Sequence, residues 1–156
     1  REPLFRFWFQ YVYGNEGRIA QLGDAAYAEL VAPSMASHTA EAFERICQDT
    51  LPRLLPKTYR GIGYWWHHHE LDVVGLASDG TLVAGECKYT TREMHEGDLA
   101  DLERAAANVK WTPPEGTERT TQYCCFCRSG FSEGLRETEA KRPNVSLFTP
   151  EDVVLA

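Results

Sequence analysis

From residue 37 onward the sequence predicts an α/β layer fold, with a mixed central sheet of four to five strands flanked by helices and an N-terminal helical lead before it. Three observations predict it. Helical and strand patterns alternate along the chain in the order helix, hairpin, helix, strand, helix, strand. Two apolar runs flank Ser78-Asp79-Gly80 in "ELDVVGLASDGTLVAGECKYT", as in a hairpin. Residues suited to helix N-caps stand just before the later helical patterns.

The lead, residues 1–36, opens with "PLFRFWFQYVYGN", a short helix with Pro3 at its start and Gly14 near its end. Leu4, Trp8 and Tyr11 form one stripe, and Phe5, Phe9 and Val12 another, so this helix is expected to be sandwiched between packed elements. A second helical pattern follows in "DAAYAELVA" and a third in "SHTAEAFERICQDTLPRLL". In the third, Phe43, Ile46, Cys47 and Leu51 recur at helical spacing, Glu44 borders the apolar face, and Pro52 is expected to close the helix.

Residues 37–156 form the expected main domain. "YRGIGYWWHHHELDVVGLA" reads as one or two strands, with "TLVAGECKYT" as hairpin partner. "GDLADLERAAANVKW" is an amphipathic helix carrying Leu99, Leu102, Ala106 and Val109 on one face. "TTQYCCFC" is a strand, "SEGLRETEAK" a helix capped by Ser132, and "NVSLF" a final strand. "TPEDVVLA" starts a last helix, with Thr149 as cap and Pro150 at its first position.

Composition narrows the function classes. A net charge of −7 over 156 residues argues against a general nucleic-acid coat protein. It leaves a nuclease open, because active-site carboxylates enter that sum while the divalent cation offsetting them does not. Five cysteines, three of them in "CCFC", fit reduced thiols and a cytoplasmic location better than a secreted disulfide framework. No apolar run approaches the roughly 18 residues of a membrane helix. The chain begins at Arg1, and a domain excised from a longer protein is expected.

The hairpin carries the chemistry. With a three-residue loop and a left-handed Gly80, Asp72 faces Glu86 across the strands, with Cβ atoms about 5 Å apart. Lys88, two residues on, falls on the same face. A two-residue turn at Asp79-Gly80 would instead send the two acids to opposite faces. Facing carboxylates repel unless neutralised, and a hard cation such as Mg²⁺ takes one or two carboxylates as ligands and keeps its waters. Lys88 would then steady the attacking water or a phosphate oxygen.

These residues resemble a known pattern. "ELDVVG…GECKYT" is similar to motifs two and three of the PD-(D/E)XK nuclease superfamily, with Asp72 as the aspartate and Glu86-Cys87-Lys88 as the (D/E)-x-K element. Glu44 in "AFERIC" matches the carboxylate often carried by the first helix of that fold, and "FCRSGFSEGL" resembles its following strand-turn-helix. More narrowly, "LFRFWFQYVYGN", "AFERIC", "GYWW…ELDVVG" and "GECKYT" together resemble the C-terminal domain of archaeal-type P-loop ATPases. Two departures stand out: Leu71 replaces the proline of the superfamily's name, and no Walker loop is present. The resemblance implies a restriction-endonuclease-like core. It also implies Mg²⁺ or Mn²⁺ held by Glu44, Asp72, Glu86 and the backbone carbonyl of Cys87, with Lys88 positioning water. DNA would be the substrate, ATPase and winged-helix domains would be attached covalently, and a homodimer is open as an assembly. The alternative is a catalytically silent nucleic-acid-binding or interaction module that regulates the ATPase.

Other motifs carry less. His67-His68-His69 cannot converge on one ion, because neighbours in a strand alternate faces, and strand-end polarity is the expected reading; His68, with the parity of Asp72, is a candidate contact to phosphate or to a side chain that holds the metal. Trp66 is a candidate base-stacking residue, with core packing expected for at least one of Trp65 and Trp66. Cys124 and Cys127 have the spacing of half a zinc ribbon, but in a strand they read as buried thiols.

Overall fold

A computed structural model describes residues 3–67 and 69–156; the His68 reading lies outside the described residues. The chain forms two compact units, Arg1–Ala42 and Phe43–Ala156.

The first unit is helical. Helix α1 (Pro3–Phe7) continues as a π-helical segment, Trp8–Val12, and the chain turns at Gly14 with φ 78°. Helix α2 (Glu16–Leu22) was not legible as a pattern, since it buries no residue. Contrary to the expected sandwich, the aromatic faces of the first helix stay open: Leu4, Phe5, Trp8 and Phe9 are exposed, and Tyr11 is the buried member. The Tyr11 hydroxyl lies 2.9 Å from Ser34 Oγ, and Arg6 pairs with Glu41.

Helix α3 (Ala32–Leu54) starts earlier than expected, and Pro52 lies inside it. Proline removes the donor to the carbonyl four residues back, and the helix ends two residues after it. Phe43, Cys47 and Leu51 are buried as expected, whereas Ile46 is exposed at 40%.

The second unit is a mixed five-stranded sheet in the order β1 (Tyr59–His67), β2 (His69–Ala77), β3 (Thr81–Lys88), β4 (Thr120–Cys127), β5 (Val145–Phe148). The first three strands are antiparallel, and β3, β4 and β5 run parallel. Parallel neighbours need crossover connections, which α4 (Glu96–Ala107) and α5 (Glu133–Lys141) supply. One apolar layer joins Leu82, Ala84, Cys125 and Cys127 to Leu99, Leu102 and Leu135 of these two helices. The opposite layer joins Val73, Val83, Cys124 and Phe126 to Phe43, Cys47 and Leu51 of α3 and to Val153 of α6 (Pro150–Leu155). The two layers cover both faces of the central strands. This is the α/β class with a mixed sheet flanked by helices.

The caps are as expected. Ser132 Oγ accepts the Leu135 N–H at 3.2 Å, and Thr149 and Asp152 form a reciprocal cap around Pro150. Among the described residues, no helix is long and apolar enough to cross a membrane.

Candidate metal centre

The hairpin loop decides which acids meet. Its three residues are Ser78, Asp79 and Gly80, and Gly80 has φ 89°. Asp79 is braced on both sides: its carboxylate accepts the Lys57 ammonium at 2.6 Å and the Thr81 N–H at 3.0 Å. These hydrogen bonds, Lys57 foremost, hold its carboxyl down at about 2. The register that follows pairs Leu76 with Leu82 and Val73 with Gly85. The ladder ends there, and Asp72 and Glu86 are the next residue of each strand.

A β-bulge modifies this position. Between the pairs Gly63–Val74 and Trp65–Leu71, β1 advances two residues while β2 advances three. Asp72 and Val73 therefore share the slot opposite Tyr64, and such a bulge bends the strand and re-aims a side chain. Its trace is visible in the packing, where Leu71 and Val73 enter opposite apolar layers. Asp72 is anchored twice. Its carboxylate accepts the Cys87 backbone N–H at 2.8 Å, and its carbonyl accepts Gln48 Nε2 from α3 at 2.6 Å. In an extended strand the N–H and C=O of one residue point to the same side, so the Cys87 carbonyl turns toward Asp72 as well.

The electrostatics mark these acids. Burial pushes the Glu86 carboxyl up to about 7, and the Asp72 charge adds to this while Lys88 opposes it. Burial also raises Asp72, against the Cys87 hydrogen bond, with Glu70 raising it further. Exposed Glu70, on β2, thus adds a third negative charge beside the pair.

Lys88 is not idle. Its ammonium donates to Asp98 Oδ1 at 2.6 Å, and Asp98 is 6% exposed at the start of α4. Arg92 forks onto the same carboxylate at 3.1 and 2.8 Å, and the His95 backbone N–H donates to it at 2.9 Å. Burial raises the Asp98 carboxyl, but these donors outweigh it and hold it well below the usual range. Asp98 and Gln48 were missed in the sequence. Asp98 reads there as a first-turn helix acid and Gln48 as a surface polar residue, and only the packing of α3 and α4 on the sheet brings them to the hairpin.

Glu44, on α3, adds its charge to the surroundings of Cys87, a thiol that burial foremost pushes well above its usual value. Glu41, one turn earlier on that helix, pairs with Arg6. Among the described residues, no group of three or more His, Cys, Asp or Glu is drawn together to hold a metal ion. Asp72 and Lys88 both act on the Glu86 carboxyl, in opposite directions, and among the described residues Glu44 does not complete a three-acid cluster with the pair. The donor set still fits a hard divalent cation. Two partly buried oxygen ligands whose charges repel each other are what such an ion neutralises, and Mg²⁺ needs no more than one or two carboxylates.

The remaining candidates separate cleanly. Trp66 is 73% exposed and paired with Glu70, while Trp65 packs against the core. Cys124 and Cys127 are fully buried free thiols. An open cleft of about 300 Å³ along β1, walled by Trp65 and Trp111, contains none of the acids.

Comparison with known proteins adds a family. Residues 8–113 match the family model DUF234, described as archaeal and bacterial proteins of unknown function. No curated protein matches significantly. Among solved structures, a repair endonuclease from Pyrococcus abyssi is similar with 19% identity and a TM-score of 0.44, over 71% of this chain and 46% of that one. The chain thus spans less than half the length of that structure.

Proposed function

The chain belongs to the DUF234 family, and for it we propose divalent-metal-dependent hydrolysis of DNA phosphodiester bonds at the Asp72–Glu86 pair. The observation that carries this reading is two carboxyls on adjacent strands, both raised by burial, with the Asp72 charge raising Glu86 further. Asp72, Glu86 and the Cys87 carbonyl would hold Mg²⁺ or Mn²⁺, with Glu44 as a further carboxylate on the α3 side. When bound, the ion supplies an activated water and offsets charge on the phosphate. Gln48 and the Cys87 N–H hold Asp72 in place. Lys88, tethered by Asp98, keeps ammonium hydrogens for the water or for a phosphate oxygen. The domain is proposed to act in the cytoplasm, attached to ATPase and winged-helix domains.

The test is incubation with branched, single-stranded and duplex DNA plus Mn²⁺. Cleavage that Asp72→Asn, Glu86→Gln and Lys88→Ala each abolish is expected. Cleavage unaffected by all three would exclude the proposal.

One observation favours a second reading, a catalytically silent module that regulates an attached ATPase. Lys88 shares a nearly buried carboxylate with Arg92, which a purely structural lysine would also do. Calorimetry separates the two, since a silent module binds DNA and takes up no Mn²⁺.

A further inference from the structure

The chain is acidic overall, yet cations gather where the parallel strands β3 and β4 end: Lys88, Arg92 and Arg128. Alternation distributes them. Phe126 packs in the α3-side layer and Cys127 in the α4-side layer, so Arg128 returns to the α3 side. There its guanidinium lies 5.0 Å above the Tyr89 ring, which is itself 5.2 Å from the Phe43 ring. Arg92 is anchored on the other side, by its fork onto Asp98. The two segments are tied to each other by the Arg128 N–H to the Lys88 carbonyl at 3.0 Å and by Ser129 Oγ to the Thr90 carbonyl at 2.6 Å.

Both arginines remain exposed while so held. Arg92 and Lys88 share one carboxylate, which leaves one positive charge in surplus at Asp98. An acid cluster of Asp72, Glu86 and Glu70 repels a polyanion, so a phosphate chain approaching it needs compensating cations nearby. Arginine suits this role, since stacking or forking through one edge leaves other donors free in a fixed plane.

We infer that Arg92 and Arg128 form a two-point clamp for the phosphate backbone of DNA, one on each face of the sheet, flanking the acid pair. This rests on the phosphodiester reading above, and it is read by binding, without turnover.

The experiment is fluorescence anisotropy of labelled single-stranded and duplex DNA in Ca²⁺, across roughly 50 to 200 mM salt. Arg92→Ala and Arg128→Ala are each expected to weaken binding severalfold and to lower the salt slope by about one. Arg92→Lys and Arg128→Lys keep the charge and are expected to retain the slope, which guards against a folding defect. Arg104→Ala, on the outer face of α4 and paired with Asp101, leaves binding unchanged. A double alanine variant with native affinity and slope overturns the clamp, as does a wild-type domain that binds no DNA at low salt. Cleavage lost in Asp72→Asn but DNA binding untouched by the arginine variants would sink the clamp alone and leave the hydrolysis reading standing. Arginine-dependent binding without cleavage supports the clamp and favours the silent module.

Discussion

The backbone N–H of Cys87 donates to the carboxylate of Asp72 at 2.8 Å, so a side chain occupies a position that a strand carbonyl would ordinarily fill. The bulge at Asp72-Val73 makes this possible, and it brings an acid of β2 to the middle residue of Glu86-Cys87-Lys88. The proposed metal centre follows from that one substitution of a side chain for backbone.

Stability should depend on pH through Glu86. Folding raises its carboxyl from 4.5 to about 7, so between these values the folded state binds more protons than the unfolded chain. The folded state is therefore favoured most at low pH and loses stability as pH rises toward and through 7. Glu86→Gln removes the titrating group and is expected to be more stable than wild type by about 1–3 kcal/mol near pH 8. Denaturant titrations at two pH values check this; a variant less stable than wild type at pH 8 contradicts it.

Divalent cation should reverse that penalty. Mn²⁺ at a hundredfold excess over its Kd is expected to stabilise the domain by about 2.7 kcal/mol. The gain should be larger near pH 8 than near pH 5, because protons compete for Glu86. Thermal melting with and without Mn²⁺ measures it, and Asp72→Asn should lose the gain.

Asp98 holds the lysine side of the site. Asp98→Asn leaves Lys88 and Arg92 without their shared charge, and a loss of about 2–4 kcal/mol is expected in chemical denaturation. Lys88→Met should cost less, since Arg92 still neutralises the carboxylate.

The hairpin loop can be tested directly. Deleting Ser78 shortens the loop to two residues and should slip the register, separating Asp72 from Glu86 and abolishing Mn²⁺ binding. Gly80→Ala is expected to destabilise by at least about 1 kcal/mol, because φ is 89° and an added Cβ would lie 2.3 Å from the Glu118 carbonyl. A Ser78 deletion that still takes up Mn²⁺ would falsify the register argument.

Local chemistry made much of this legible in the one-dimensional chain. Gly80 and the loop length specify the register, because a left-handed residue is needed at one place and period two carries the consequence as far as Val73 and Gly85. Caps at Ser132 and Thr149 are likewise local. The first helix misled, since its two apolar stripes describe what could be covered and not whether anything in the chain covers them. Pro52 was expected to close the helix, and α3 runs two residues past it to Leu54.

What the order of residues determined by itself was the alternation of helix and strand, the hairpin with its three-residue loop, and the helix caps, all consequences of short-range sterics and periodicity. What only the tertiary structure decided was the environment of those groups. The bulge re-aims Asp72, Gln48 arrives from α3 and Asp98 from α4, and burial raises the carboxyls, because these depend on contacts between segments distant in the chain whose docking no local pattern encodes.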